Sequence, residues 1–149
     1  MAYNLLKGKR GIITGALDEN SIAWKVAQKC HEEGATFTLT NAPIAMRMGE
    51  INKLAEATGS KIIPADATSI EDITKLYTES MNILGGKIDF VLHSIGMSVN
   101  IRKNIPYTEL NYEFYNKGID VSALSLHKML ATAYKMDAIN EHASVVALT

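Results

Sequence analysis

The sequence predicts an α/β fold built on an open, doubly wound parallel sheet. Short apolar segments of strand length alternate with segments whose apolar residues recur at helical spacing, and no linker or internal repeat interrupts them. One apolar segment, Ile88–Ile95, is almost uninterrupted, as is typical of a central strand buried on both faces. Five strands joined by right-handed helical crossovers predict the strand order 3-2-1-4-5 in a three-layer αβα arrangement of Rossmann type.

The predicted strands are short and rich in β-branched residues. They are Lys9–Thr14, Thr36–Thr40, Lys61–Asp66, Ile88–Ile95 and Ser144–Leu148. Gly15 closes the first of them. Pro64 lies inside the third and cannot donate a backbone hydrogen bond, so this strand is expected at or near a sheet edge.

Helices are predicted between the strands. The first begins at Ser21 and ends before Gly34, and the second runs from Ile44 or Ala45 to Thr58. The third runs from a Ser69 cap to Leu84, and the fourth from Asn111 to Met136. Gly96–Glu109 is predicted to be a long polar connection. The last helix carries apolar residues on more than one face, so we expect it to be largely buried.

Composition excludes several classes of protein. The 149 residues are 47% hydrophobic and 21% charged, with 15 basic and 16 acidic side chains, which indicates one soluble globular domain and no broad nucleic-acid-binding face. No apolar run approaches the roughly 20 residues that span a bilayer, and the apolar part of the N-terminus is shorter than we expect for a signal peptide. A single cysteine, Cys30, favours the cytoplasm.

Ligands of such sheets bind beyond the carboxyl ends of the strands, near the switch between strands 1 and 4. In the first of these loops Gly15 permits close approach of a ligand, and Ser21 with the N–H groups of Ile22 and Ala23 can bind an anion. A glycine turn followed by an ordinary serine cap explains the same residues equally well.

The other loops carry further candidates. After strand 2 there is no carboxylate for a ribose, only the Asn41 amide, and Arg47 could meet a 2′-phosphate or be a solvated helix residue. Asp66 could accept from an adenine amino group beside a backbone N–H, or simply begin a turn. After strand 4, Gly96 lets the backbone pass close to a ligand and small Ser94 leaves room.

The histidines do not predict a catalytic or metal site. His93 lies in a buried strand without a Ser/Asp or Cys partner placed for a triad, so we interpret it as a hydrogen-bonded structural residue. His31, His127 and His142 are far apart in the sequence, and their spacing matches no metal motif.

Two motifs together resemble those of a known family. They are Ile13-Thr14-Gly15 followed by Ser21-Ile22-Ala23, and His93-Ser94-Ile95-Gly96, with His31-Glu32-Glu33-Gly34-Ala35 and Asp66 between them. The chain closely resembles, over all its residues, the N-terminal portion of the enoyl-acyl-carrier-protein reductases of bacterial fatty-acid synthesis, a divergent branch of the short-chain dehydrogenases. Residues 1–149 would then be a dinucleotide-binding domain cut after the fifth strand.

The resemblance implies a nicotinamide cofactor and assigns the residues that hold it. Gly15, Ser21 and Ile22 would contact the pyrophosphate, Asp66 and Ala67 the adenine, and Ile95 and Gly96, beside Ser94, the ribose and nicotinamide; Ser98 would contact substrate through its backbone. Ala42 stands where the family usually has a glutamine, so NADH is expected but NADPH is not excluded.

The resemblance also implies the reaction, reduction of the carbon–carbon double bond of an enoyl thioester on acyl carrier protein or CoA, and a homotetramer packed partly through Asn111–Met136. The family's catalytic tyrosine and lysine would follow Thr149, so no catalytic residue is expected in this chain. Tyr3 and Lys7 have the spacing of the general short-chain dehydrogenase pair but precede strand 1. The alternatives are another short-chain reductase, or a nucleotide-binding module without turnover.

Overall fold

The computed structural model describes residues 2–48 and 50–148. Its strands are β1 (Arg10–Thr14), β2 (Thr36–Thr40), β3 (Lys61–Ile62), β4 (Ile88–His93) and β5 (Ile139–Ala147). Its helices are α1 (Ile22–Glu32), α2 (Ile51–Thr58), α3 (Ile70–Leu84), α4 (Val99–Arg102), α5 (Tyr112–Ile119) and α6 (Ser125–Lys135). All strand pairs are parallel, in the order β3-β2-β1-β4-β5, which confirms the predicted topology.

Adjacent residues of β1 build the two cores on either side of the sheet. Ile13 packs in a cluster with the buried side chains of α1 and α2, such as Trp24 and Leu54. Ile12 points to the opposite face and packs with buried side chains of α3 and α6, such as Leu76 and Met129. The period of two in a strand therefore places one apolar residue in each layer, which confirms the αβα arrangement.

The third strand is shorter than predicted. Only Lys61–Ile62 forms a regular ladder with β2, although Ile63 N still donates to Leu39 O (2.9 Å) and Ala65 N to Asn41 O (3.1 Å). Pro64, between these two donors, has no N–H to contribute. Its edge position is confirmed, and the chain reaches the carboxyl end of the sheet as an irregular segment.

Two predicted helix starts differ in detail. Ser69 caps α3 as expected, since its Oγ accepts from Asp72 N (3.2 Å), but the Asp72 carboxylate accepts from Asp66 N (2.8 Å) and thereby holds the preceding loop. The second predicted helix is divided into a 3-10 turn at Ala45–Met48 and α2. A helix through this stretch would contain Gly49, which costs about 1 kcal/mol relative to alanine.

The expectation that Asn111–Met136 is largely buried is wrong. The segment is helical, as α5, a π-helical turn at Asp120–Leu124 and α6, but α5 and the turn have no buried residue. Only one stripe of α6 faces the sheet, and it is formed by Ser125, Met129, Thr132 and Ala133. Side chains such as Tyr115 and Leu124 are half exposed, so apolar composition alone overstated the contact with the sheet.

The last strand is longer than predicted and irregular. β5 begins at Ile139, five residues before the predicted start at Ser144, and its pairing with β4 shifts register between Ile88 and Phe90. His142 has a positive φ of 60°. A bulge of this kind hides the strand pattern, because the inserted residue breaks the alternation on which a prediction depends.

The connection after β4 is more ordered than a polar loop. It contains α4, and Asn100 pairs with Asn111 through two hydrogen bonds of 3.0 Å, donating to its carbonyl and accepting from its N–H. In the residues that the structure describes, no helix has both the length and the apolar composition to cross a membrane.

Candidate functional site

Two adjoining cavities open at the carboxyl ends of the strands. The first has a volume of about 290 Å³ and lies over the ends of β2 and β3; the second, about 380 Å³, lies over the ends of β1 and β4. Both are lined by Asn41, Ala42, Ile44, Ile95, Met97 and Val121. They form one elongated cleft at the switch point where the sheet order changes direction, as the topology predicts.

The first cavity presents a carboxylate to the cleft. Asp66, Ala67 and Thr68 line it. Asp66 Oδ1 accepts from both Thr68 N (2.8 Å) and Thr68 Oγ1 (2.7 Å), and these bonds lower the pKa of the Asp66 carboxyl below its ordinary value. Among the described residues, no donor reaches Oδ2, so an ionised oxygen is available to a ligand's amino group.

The second cavity lies where the ends of β1 and β4 come into close contact. Gly15 has a φ of +80°, and a Cβ there would lie 1.8 Å from the carbonyl oxygen of Ser94. Gly15 N donates to Thr40 O (3.0 Å), and Ser94 N donates to Thr14 Oγ1 (3.0 Å). Gly15 is therefore required for the packing of β1 against β4, in addition to any contact with a ligand.

Gly96 forms the open part of the same cavity. It lines the second cavity with Ser94 and Ile95, and no atom of the described residues outside its chain neighbours lies within 4 Å of the position that a Cβ would occupy. The backbone here is reachable from the cleft. This is the property that the sequence analysis expected of the position.

The hydroxyl of Ser21 makes its hydrogen bonds within the loop from Leu17 to Ser21. Ser21 occupies the N-cap position of α1, but its side chain does not cap the helix; Oγ donates to Asp18 O (2.7 Å) and accepts from Leu17 N (3.2 Å). Ser21 and Ile22 do not line either cavity, and the Ile22 side chain is 61% exposed. Their contact with a pyrophosphate stays a prediction.

Ser98 also lies outside the lining of the two cavities. Its Oγ accepts from Ile101 N (3.4 Å) and caps α4. Arg102, the last residue of α4, lines the second cavity. Ser98 therefore lies beside the cleft, and its contact with substrate stays a prediction.

A family match joins these observations. A model described as Enoyl-(Acyl carrier protein) reductase matches residues 15–149, and so covers the loops that line the cleft. The chain belongs to the enoyl-acyl-carrier-protein reductase family.

Individual members of the family are similar over the whole chain. The enoyl-acyl-carrier-protein reductase (NADH) FabI of Rickettsia bellii is 31% identical over 150 residues, which cover 100% of this chain and 56% of that protein. The crystal structure of FabI from Alistipes finegoldii is 54% identical with a TM-score of 0.96, and the match covers 99% of this chain and 57% of that one. The FabI–NADH complex from the same organism gives 54% identity and a TM-score of 0.96, covering 99% of this chain and 52% of that one.

The chain spans about half the length of these enoyl-acyl-carrier-protein reductases. Within that half, the cleft includes residues that the sequence analysis did not identify, namely Arg102, Lys117, Asp120 and Val121. Lys117 and Asp120 are three residues apart in a helical segment, which places two charges on one face. That spacing was the available signal, and it was missed because the segment was interpreted as buried.

His93 of this enoyl-acyl-carrier-protein reductase chain is a buried structural residue, as predicted. Ser125 Oγ donates to Val121 O (2.6 Å), so its lone pair accepts from His93 Nε2 (2.7 Å). This fixes the proton on Nε2 and leaves Nδ1 buried without a partner among the described residues. Burial therefore lowers the pKa of His93, because a second proton would place an unpaired donor in the core.

His93 should make stability fall on mild acidification. Its pKa in the folded protein lies below the ordinary value of about 6.5, so the unfolded chain binds the proton more readily and stability is lost as the pH falls below about 6.5. We expect a loss of at most about 1.4 kcal/mol per pH unit. Chemical denaturation at several pH values measures it, and His93→Gln, which does not titrate, should flatten the curve. An unchanged curve in His93→Gln would contradict this assignment.

The described residues contain no group of three or more His, Cys, Asp or Glu side chains arranged to hold a metal ion. The polar groups at the cleft are instead single donors and acceptors spread along its length. Such a distribution suits an elongated organic ligand.

Proposed function

We propose that the intact protein reduces the carbon–carbon double bond of an enoyl thioester, carried by acyl carrier protein or CoA, with NADH as the reductant. The observation that carries the proposal is the two-part cleft, in a chain 54% identical to a FabI with a crystal structure in complex with NADH. Residues 1–149 would be the dinucleotide-binding part of the enzyme.

The residues at the cleft fit such a cofactor. The unpaired Oδ2 of Asp66 suits the adenine amino group, and the exposed backbone around Gly96 suits the ribose and nicotinamide. Between them the shared wall at Ile95 and Val121 is apolar and would exclude water from the rings. Gly15, Ser21 and Ile22 are proposed to face the pyrophosphate, where the first N–H groups of α1 have no partner within the helix.

When bound, NADH would supply the hydride that reduces the β-carbon of the enoyl group. This chain orients that step. Ser94, Ile95 and Gly96 would hold the nicotinamide end of the cofactor beside β4, and the backbone at Ser98 would contact the substrate. The tyrosine that stabilises the enolate oxygen and the lysine that holds the ribose are proposed to follow Thr149.

NADH is proposed rather than NADPH. The curated relative from Rickettsia bellii carries NADH in its name. Arg47, the side chain that could meet a 2′-phosphate, is exposed and is not part of either cavity lining. Ala42, at the place of the family's glutamine, lines both cavities and offers only backbone to the ribose.

We also propose a cytoplasmic homotetramer. Tyr112, Tyr115 and Ile119 lie at helical spacing on α5 and are 75%, 50% and 40% exposed, so an apolar face is left uncovered. Packing of copies through this face would bury it. Such packing would account for the exposed apolar residues of α5, which the sequence analysis expected to be buried within the chain.

The test is turnover by the intact protein. We expect an enoyl thioester to cause loss of NADH absorbance, NADPH to react more slowly, and a saturated thioester to cause none. Reduction of a ketoacyl thioester but not of an enoyl thioester would instead show another short-chain reductase. Sedimentation of the same sample is expected to show a tetramer, and a monomer alone would contradict the assembly.

A further inference from the structure

The helical segment formed by α5 and α6 is interrupted where it borders the cleft. Between α5 and α6, residues Asp120–Leu124 form a π-helical turn. π-Helical turns are rare in proteins, but those that occur often lie at functional sites, because they change the direction in which the side chains of a helix point. Here the turn contributes Asp120 to the lining of the first cavity and Val121 to that of both.

On one side the turn holds the loop that follows β4. Ser122 Oγ accepts from Met97 N (2.9 Å) and donates to Met97 O (3.3 Å), so a single hydroxyl satisfies both groups of one residue. Met97 lines both cavities. The position of this wall of the cleft is therefore set by the helix.

Gly118 leaves room for the contact between Met97 and the helical segment. It lies inside α5, where glycine costs about 1 kcal/mol relative to alanine. A Cβ at this position would lie 3.0 Å from Met97 O, which is closer than nine in ten real Cβ contacts, so the carbonyl would have to shift by a few tenths of an ångström. The glycine thus provides the space in which the Met97 carbonyl rests against the helix.

On the other side the turn holds the loop that follows β3. Lys128 Nζ donates to Asp120 Oδ1 (2.7 Å) and to Thr68 O (3.1 Å), and it contributes to the low pKa of Asp66. The Lys128 side chain is only 25% exposed, which limits screening of the pair by solvent. One ammonium group therefore joins the π-helical turn to the wall of the first cavity.

We propose that the π-helical turn is a clamp that positions the two loops on either side of the cofactor: Ser122 and Gly118 set the Met97 loop at the nicotinamide half, and the Asp120–Lys128 pair sets the Thr68 loop at the adenine half. This inference rests on the proposed function, which supplies the ligand. Ser122, Gly118 and Lys128 are positioning residues, since they act through the loops and not on the reacting atoms.

Each side of the clamp can be tested separately with half-ligands in the intact protein. Ser122→Ala is expected to weaken binding of reduced nicotinamide mononucleotide and NADH about 10-fold, and to weaken binding of AMP less, because Met97 lines both cavities. Lys128→Met is expected to weaken AMP and NADH by a similar factor and to leave the mononucleotide unchanged. Ser122→Thr keeps the hydroxyl and should restore binding. Lys75→Met, at an exposed lysine of α3, is the matched control and should change neither.

Amide hydrogen exchange tests the clamp without any ligand. Ser122→Ala should accelerate exchange of the Met97 N–H about 10-fold or more and leave core amides such as Ile13 unchanged. Equal losses for both half-ligands, or unchanged binding and exchange, would overturn the clamp. If Ser122→Ala shows the expected change in exchange but the wild-type protein binds neither NADH nor either half-ligand, the proposed function alone is overturned.

Discussion

Gly15→Ala is expected to lower the free energy of unfolding by about 2–5 kcal/mol and to reduce NADH affinity more than 10-fold. Two costs add at this position. The backbone has a φ of +80°, where a Cβ costs about 1–2 kcal/mol, and that Cβ would lie 1.8 Å from the Ser94 carbonyl oxygen. Relief of the contact requires β1 and β4 to separate just where the second cavity lies.

Gly85→Ala is the matched control for this substitution. Gly85 has nearly the same φ, +76°, at the end of α3, but in the part of the chain that the structure describes no atom beyond its neighbours lies within 4 Å of its Cβ position. We expect it to lose only about 1–2 kcal/mol and to bind NADH normally. Denaturant titration and fluorescence titration with NADH measure the two quantities. If Gly15→Ala were no more destabilised than Gly85→Ala, the close approach of the strand ends would not be limiting.

The second large effect is expected at Asp66. Thr68 N donates to Asp66 Oδ1, so in Asp66→Asn the amide oxygen must occupy that place and the NH₂ group must replace Oδ2. A donor would then face the amino group of adenine. We expect NADH affinity to fall about 10- to 100-fold, since a hydrogen bond to a charged acceptor is replaced by an unfavourable pair of donors.

Deamino-NADH, in which an oxygen replaces the adenine amino group, distinguishes this explanation from a general loss of structure. The wild-type protein should bind NADH more tightly than deamino-NADH. In Asp66→Asn the ratio of these two affinities should fall about 10-fold or more, because the NH₂ group of the asparagine can donate to the new oxygen. Asp137→Asn, at the opposite end of the sheet before β5, is the control and should keep the preference. If Asp66→Asn lost the same affinity for both dinucleotides, the proposed contact between Asp66 and adenine would be wrong.

The topology was predictable because it depends on local pattern and a general rule. Alternation of strands and helices, the apolar run at β4 and the right-handedness of crossovers were enough for the order β3-β2-β1-β4-β5. The start of β5 was missed because Glu141 and the positive φ of His142 interrupt its pattern. Burial of the Asn111–Met136 segment was misjudged because composition does not show whether an apolar side chain, such as that of Tyr115, is covered by another surface.

The candidate site was predictable where it follows strand ends. Gly15, Asp66, Ala67, Ser94, Ile95 and Gly96 all line the cleft. Ser21 and Ser98 do not, because each side chain is used in a local turn or cap. The contribution of Lys117, Asp120 and Arg102 depends on how segments far apart in sequence pack over the sheet, and no spacing rule contains that information.

The edge of the sheet at β3 offers little to an added strand. The regular ladder there is only two residues long, and Pro64, which has no N–H, follows it. Ile63 N and Ala65 N already donate to Leu39 O and Asn41 O, so another strand would find few aligned donors. The proline that shortens β3 therefore also protects this edge of the sheet from pairing with other chains.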